Sequence, residues 1–371
     1  MAKSVTVRRC VFWGSLGALA WTHVGYPLAA AALARMRRRE VRRADVTPHV
    51  TVIVPAHDEE GMIGRRLENL LALDYPADAL KIVVASDASQ DATDRIVEGF
   101  AAADARVRLL RCPRAGKVAA LNRAVQGSAG EVIAFSDANT TWACDALSKL
   151  VRSFDDPAVG YVCGRLELEP SGGTNREGAY WRYELWVRDQ ESALGSITGG
   201  NGAIYAVRRE NYVEDRFGHD LGFPHRMVKL GRRAVYDRDA VAYEKPSRDL
   251  DDEYRRKVRM FVWDWQHLFE GRMLEGVGPL YASQVVSHRL LRYSSGLLHV
   301  LLLGSSIALV RSGPFYRTAV AAQLAAGALA ETGRRRLSAP GASLAYYYVF
   351  VTWATVVALA RYLRHGVSPV W

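Results

Sequence analysis

Cysteine is scarce and unpatterned. Cys10, Cys112, Cys144 and Cys163 are the only four in 371 residues, and no CxxC or other ligand spacing joins them. They read as buried or incidental thiols, which suits an intracellular face for the middle of the chain. No GxGxxG follows the first strand-like run, so a dinucleotide dehydrogenase is a poor reading. No internal repeat and no low-complexity tract is present. Hydrophobic residues make up 49% and charged residues 24%, which excludes a disordered or collagen-like chain. The length suits about two compact domains, or one large domain with appended segments.

Acidic residues are missing where basic ones gather. The formal charge is +10, yet residues 1–43 hold 9 basic and 1 acidic side chains, and residues 289–371 again hold 9 and 1. The middle, 44–288, is acidic overall, with 31 basic against 37 acidic. That distribution argues against a nucleic-acid footprint and for the positive flanks of membrane spans. Val11 to Leu33 runs without Asp, Glu, Lys or Arg, and is long enough to cross a hydrocarbon core of about 30 Å. It ends in Arg35, Arg37, Arg38, Arg39, Arg42 and Arg43, which marks a retained span with residue 44 onward inside. Tyr293–Val310, Phe315–Ala330 and Ala342–Ala360 are three further candidates. Arg334, Arg335 and Arg336 then fall inside and the C-terminus outside, so the basic clusters agree on one topology.

The middle reads as α/β. Val50–Pro55, Lys81–Ser86, Arg106–Leu110 and Glu131–Phe135 are strand-like. Glu60–Leu73, Asp91–Ala103 and Gly116–Gly127 are helix-like. This alternation predicts βαβ units and a mainly parallel sheet, with ligands at the carboxyl ends of the strands. The polar clusters His57–Glu60, Ser86–Ser89 and Ser136–Asn139 fall there. Pro170–Asn175 is a turn-rich connector to a second half built on 176–192, 199–207 and 220–232.

Val52-Ile-Val-Pro-Ala-His-Asp-Glu-Glu60, Ser86-Asp-Ala-Ser-Gln-Asp-Ala-Thr-Asp94, Gly116-Lys-Val-Ala-Ala-Leu-Asn122, Ser136-Asp-Ala-Asn139 and Thr198-Gly-Gly-Asn-Gly202 occur in the order seen in family 2 glycosyltransferases. Over roughly residues 48–270 the chain resembles the membrane-bound synthases related to cellulose, hyaluronan and poly-N-acetylglucosamine synthases. The resemblance implies a GT-A (Rossmann-like) domain, 44–260, a nucleotide-sugar donor, a divalent metal and inversion at the anomeric carbon. Flanking it would be a membrane helix with its basic flank (1–43), an interfacial helix region (261–288, with the helix itself at Phe261–Leu274) and the C-terminal membrane helices (289–371).

The resemblance also implies roles. Asp87 meets the uracil or ribose, and Asp58 and Glu59 line the same pocket. Lys117 neutralises the diphosphate or holds Asp137. Asp137 and Asn139 stand at a DxD-type motif for Mg2+ or Mn2+, hard ions that need oxygen ligands; the neutral Asn139 departs from the pattern. Asp220, in Phe217-Gly-His-Asp-Leu221, is the candidate base, with Asp215 and Glu214 nearby. The glycines of the 198–202 loop let backbone approach a sugar, which makes Gly200 and Asn201 acceptor-binding. The QxxRW place reads Arg256-Lys-Val-Arg259-Met260. Arg256 and Arg259 would clamp the diphosphate or sit at lipid headgroups, while Trp263 or Trp265 replaces the missing stacking platform.

The expected activity is an inverting transfer from a UDP-sugar to a polysaccharide or glycolipid acceptor at the cytoplasmic face of the inner membrane. The expected partners are donor, acceptor and membrane lipid, with no nucleic acid. Single-sugar transfer to a lipid phosphate and an inactive membrane scaffold are the alternatives.

Overall fold

The computed structural model describes residues 2–169, 178–214, 216, 218–245, 247, 249–335, 337 and 339–367, with backbone alone at 2–4, 178–179 and 219–220. The connector at 170–175, Asp215 and Arg336 lie outside the described residues.

One eight-stranded mixed sheet organises the centre. Its strands are β1 (Val50–Ala56), β2 (Leu80–Asp87), β3 (Val107–Cys112), β4 (Val132–Phe135), β5 (Thr140–Trp142), β6 (Val159–Leu168), β7 (Tyr205–Arg208) and β8 (Arg233–Glu244), in the spatial order β3-β2-β1-β4-β7-β6-β8-β5. The first four are parallel, as their pattern predicts. β7 then runs antiparallel between β4 and β6, and the short β5 closes the far edge antiparallel to β8. Every residue of β1 is buried. Val50, Val52 and Val54 enter the apolar core on one face, and Ile53 the core on the other. A strand covered on both faces needs such a nearly continuous apolar run, broken here only by the buried Thr51.

The helices Ile63–Leu71, Thr93–Ala103 and Lys117–Gln126 connect these strands. On the first, Ile63, Leu67 and Leu70 form the buried stripe, each contributing roughly 2 kcal/mol by leaving water. Arg66 lies in that same stripe and is also buried.

At the chain's start, the helix Ala2–Ala20 continues through a π-turn, Trp21–Gly25, into Tyr26–Met36. Val5–Met36 and Ala342–His365 are long and apolar enough to cross a membrane. Pro279–Tyr293 and Ser295–Ala308 meet at 64° and add a third crossing only if the bent pair counts as one. The expected span at Phe315–Ala330 lies in a helix, Pro314–Arg334, of sufficient length. Rich in alanine, with Arg317 and Glu331 in it, that helix does not reach the hydropathy of the other two.

The expected interfacial segment starts earlier than its apolar run suggests. The helix is Leu250–Glu270: Asp249 caps it by accepting from the Asp252 N–H at 2.8 Å, and Asp251, Asp252 and Glu253 fill its first turn, where acidic groups are favoured. It runs across the expected boundary at 260/261. Val258, Val262 and Trp265 pack on Ala354 and Ala358 of the last helix, and the Trp265 indole donates to the Thr355 carbonyl at 2.9 Å. Trp265 is therefore a packing residue.

Candidate active site

The loops after β1 and β2 hold each other. Asp58 and Ala88 both have positive φ, 53° and 56°, a conformation that non-glycine residues adopt only under constraint. The constraint is a set of side-chain to backbone bonds. The Asp58 carboxylate accepts from the Gln90 N–H at 2.7 Å, and the Glu60 carboxylate from the Ala92 N–H at 2.9 Å. In return the Glu60 N–H donates to Asp91 and the Glu59 N–H to the Thr93 hydroxyl, at 2.9 and 2.8 Å. Burial, reinforced by the nearby Asp137 and Asp91, raises the Glu59 carboxyl above the usual range.

Asp87 is fully buried, and its carboxylate faces the chain. It accepts from the N–H groups of Ala115 and Gly116 at 2.8 and 3.0 Å and from Arg114 at 3.0 Å. The structure thus gives Asp87 the task of shaping the 114–116 turn, where Gly116 has φ 88°. That turn launches the helix whose first residue is Lys117. The Lys117 ammonium pairs with the Asp137 carboxylate, both about one-third exposed.

Asn139 explains its own departure from aspartate. Its amide N–H donates at 3.0 Å to the carboxylate of Glu244, at the end of β8. Arg256, on the helix Leu250–Glu270, pairs with that same Glu244 oxygen at 3.6 Å. An aspartate at 139 would set two carboxylates against each other, which raises one pKa and disfavours the charged pair. With the amide nitrogen turned to Glu244, the amide oxygen remains for a ligand. Asp137 and Asn139 then offer one carboxylate and one carbonyl oxygen, the hard donor set that Mg2+ or Mn2+ takes. Among the described residues no three His, Cys, Asp or Glu side chains cluster as a ready metal site, so such a cation needs oxygens from its substrate and water. Arg259 is exposed, one turn beyond Arg256.

The 198–202 loop is held from behind. The buried Glu191 carboxylate accepts from the Thr198 N–H at 3.0 Å, the Thr198 hydroxyl, and Tyr26 at 2.5 Å, and meets His288 at 2.7 Å. Arg289 donates to the Thr198 hydroxyl at 2.9 Å. A Cβ on Gly199 would stand 2.6 Å from the Arg289 guanidinium, which would have to shift to admit any larger residue. Arg188 donates to the Gly200 carbonyl at 3.1 Å. Asn201 is buried: its amide donates to the Gly164 carbonyl and its oxygen accepts from Ala203 and Ile204. The Asn201 amide thus serves an internal turn that shapes the loop, and Gly200 and Gly202 are the partly exposed residues there.

Asp220 is the second residue of the helix His219–Lys229; its side chain lies outside the described residues. Trp263 is half-buried on the helix Leu250–Glu270. The sequence reading missed Arg66, Glu191, Glu244 and Arg289. Only Arg66 left a signal, a charge inside an apolar helical stripe; the others come from far along the chain and carry no motif.

The sequence pattern described as "Glycosyl transferase family 2" matches residues 51–217. The chain is 30% identical over 207 residues to a beta-monoglucosyldiacylglycerol synthase of Trichormus variabilis, covering 54% of this chain and 44% of that one. It thus spans less than half the length of that relative. It is 37% identical over 123 residues to an N-acetylglucosaminyltransferase of Rhizobium leguminosarum bv. trifolii, 32% of this chain and 67% of that one. In structure it resembles a mannosyltransferase of Pyrobaculum calidifontis solved with GDP-Man and Mn2+. That likeness has a TM-score of 0.73 and 22% identity, covers 97% of this chain and 99% of that one, and fixes the fold as GT-A.

Proposed function

The chain belongs to the family 2 glycosyltransferases, and on that footing we propose that it transfers a hexose, with inversion, from a UDP-sugar to a glycan or glycolipid acceptor at a membrane. The observation that carries the reading is the assembly of Lys117, Asp137, Asn139 and Glu244 at the carboxyl end of β4, where α/β sheets bind ligands. The relatives' names support sugar transfer, and the Pyrobaculum protein's GDP-Man and Mn2+ support a nucleotide-sugar donor and a divalent ion.

In this reading the laced loops at Asp58–Glu60 and Ala88–Thr93 form the wall against the nucleoside, and Asp87 sets the turn beneath it. Asp137 and Asn139 hold the divalent cation, which when bound stabilises charge growing on the leaving diphosphate. Lys117 pairs with Asp137 and holds its carboxylate at the site. Gly200 presents backbone to the acceptor, and Asp220 takes the proton from the attacking hydroxyl. The basic flank at Arg35–Arg43 supports a catalytic domain on the cytoplasmic side of the inner membrane.

Two experiments test this. Purified full-length protein in detergent, given a panel of nucleotide sugars with Mn2+, Mg2+ or excess chelator, should turn over one UDP-sugar only when metal is present. Product sizing then separates one addition from many. Binding of a nucleotide sugar without any transfer would instead favour an inactive scaffold. Reporter fusions after residues 40 and 371 should report inside and outside respectively; an inside signal at the second sinks the three-span C-terminal topology.

A further inference from the structure

Beside the Asp137–Asn139 motif lies a hollow lined by Arg65, Arg66, Asn139, Thr141, Glu169 and Lys245. Arg66 is its unusual member. It is 1% exposed and stacks on Trp142 at 4.9 Å, with one guanidinium nitrogen bonded to Asn69. Its Nε and second Nη have no hydrogen-bond partner. Burial lowers its pKa to about 9, so it stays charged at neutral pH. The nearest opposing charge in the motif, Asp137, is already paired with Lys117.

An unmet buried cation is costly. Asn69 needs no charge above it, because it already bonds the Trp142 backbone through both amide atoms. Packing on Trp142 would be served as well by methionine. Two further cations, the exposed Arg65 and Lys245, stand over the hollow against a single carboxylate, Glu169.

We propose that this hollow is an anion site, taking a phosphate group of the substrate on the Arg66 guanidinium, with Arg65 and Lys245 closing over it. Guanidinium forks match phosphate oxygens. Two sources can bring such a group: the donor's diphosphate, or a phosphate carried by the lipid acceptor. Lys245 follows β8, and the next helix, Leu250–Glu270, packs on the apolar last helix, which favours the acceptor. The inference rests on the transferase reading for its substrates, but phosphate binding is measurable without turnover.

The test is calorimetric titration of the full-length protein in detergent with octyl phosphate, with octanol as the neutral control, and with UDP. Wild type should bind octyl phosphate and not octanol. Arg66→Met should weaken octyl phosphate about tenfold or more, leave UDP unchanged, and unfold at the same temperature as wild type or higher. Weakened UDP with unchanged octyl phosphate would also support the anion site and assign it to the donor. Unchanged binding of both probes overturns the proposal. So does equal weakening of both when Arg65→Ala and Lys245→Ala, each folded, leave both untouched, because the loss is then structural. If Arg66→Met does not fold, the Arg65→Ala/Lys245→Ala double variant decides: severalfold weaker binding of either probe supports the site, and none overturns it. Failure of wild type to bind UDP would count against the transferase reading alone, since octyl phosphate is read separately.

Discussion

The two sides of the active site are built differently. On the nucleotide side, partners lie about thirty residues apart, as in Asp58 with Gln90, Glu60 with Ala92 and Asp87 with Ala115. Each pair joins consecutive loops of a βαβ unit, tied by carboxylates accepting from backbone N–H. On the membrane side, Glu191 meets Tyr26, 165 residues earlier, and His288, 97 later. There the ties are buried side chains from elements brought together only by the tertiary fold. The nucleotide side is a local device supported by the sheet; the membrane side is a joint between parts of the protein.

This contrast predicts separable failures. The largest effects belong to residues assigned to chemistry. Asp220→Asn should bind UDP-sugar as wild type does yet transfer about 10²–10⁴ more slowly; a loss below about tenfold moves the base elsewhere, with Glu214 the next to try. Asp137→Asn should lose turnover on the order of 10²–10³, as expected for removal of a charged group that holds the ion against the leaving diphosphate. Its thermal unfolding should hardly shift, because the Lys117–Asp137 pair is partly exposed. Full activity in that variant would end the assignment.

On the other side the effect should be on the fold. Glu191→Ala strips the acceptor from Thr198 and leaves His288 and Arg289 with one buried carboxylate fewer, at a cost of about 3–5 kcal/mol. A lowered unfolding temperature with UDP affinity retained is the expected result; lost UDP affinity in the folded variant would mean that the two sides are not separable.

The smallest effect sits where the sides meet. Asn139→Asp should lower transfer severalfold by repelling Glu244, and Glu244→Gln should restore part of it in the double variant. Additive losses in that cycle would show that the pair does not act as a unit.

The contrast also explains what could be read from the chain alone. The four parallel strands and their loops were legible because apolar runs and polar clusters alternate within about 85 residues, and the motifs lie on those loops. The mixed half, where β6 and β8 pair in parallel and β5 and β7 run antiparallel, was less so. β8 carries Asp237, Arg238 and Asp239 in mid-strand, which breaks the two-residue rhythm, because Asp237 turns inward to pair with Arg152 at 2.8 Å. Glu244 has no neighbouring motif to mark it. Asn201 looked available because it sits among glycines, yet the same loop needs an amide to satisfy its own backbone. The apolar run Phe315–Ala330 was short in sequence; its helix, Pro314–Arg334, is longer than the run but fails in hydropathy.

The joint at Glu191 bears on where this protein can be cut. By sequence the catalytic unit ends near residue 260, and a soluble fragment of 44–260 is the natural one to express. That fragment would keep Glu184 and the buried Glu191, and discard His288, Arg289 and Arg292, the side chains that face them. Two carboxylates would be stranded behind the 198–202 loop, and Gly199 would lose the side chain it rests against. The excised piece would carry every recognisable motif and still lack side chains that hold the 198–202 loop, so the smallest stable unit extends into the helices beyond residue 260.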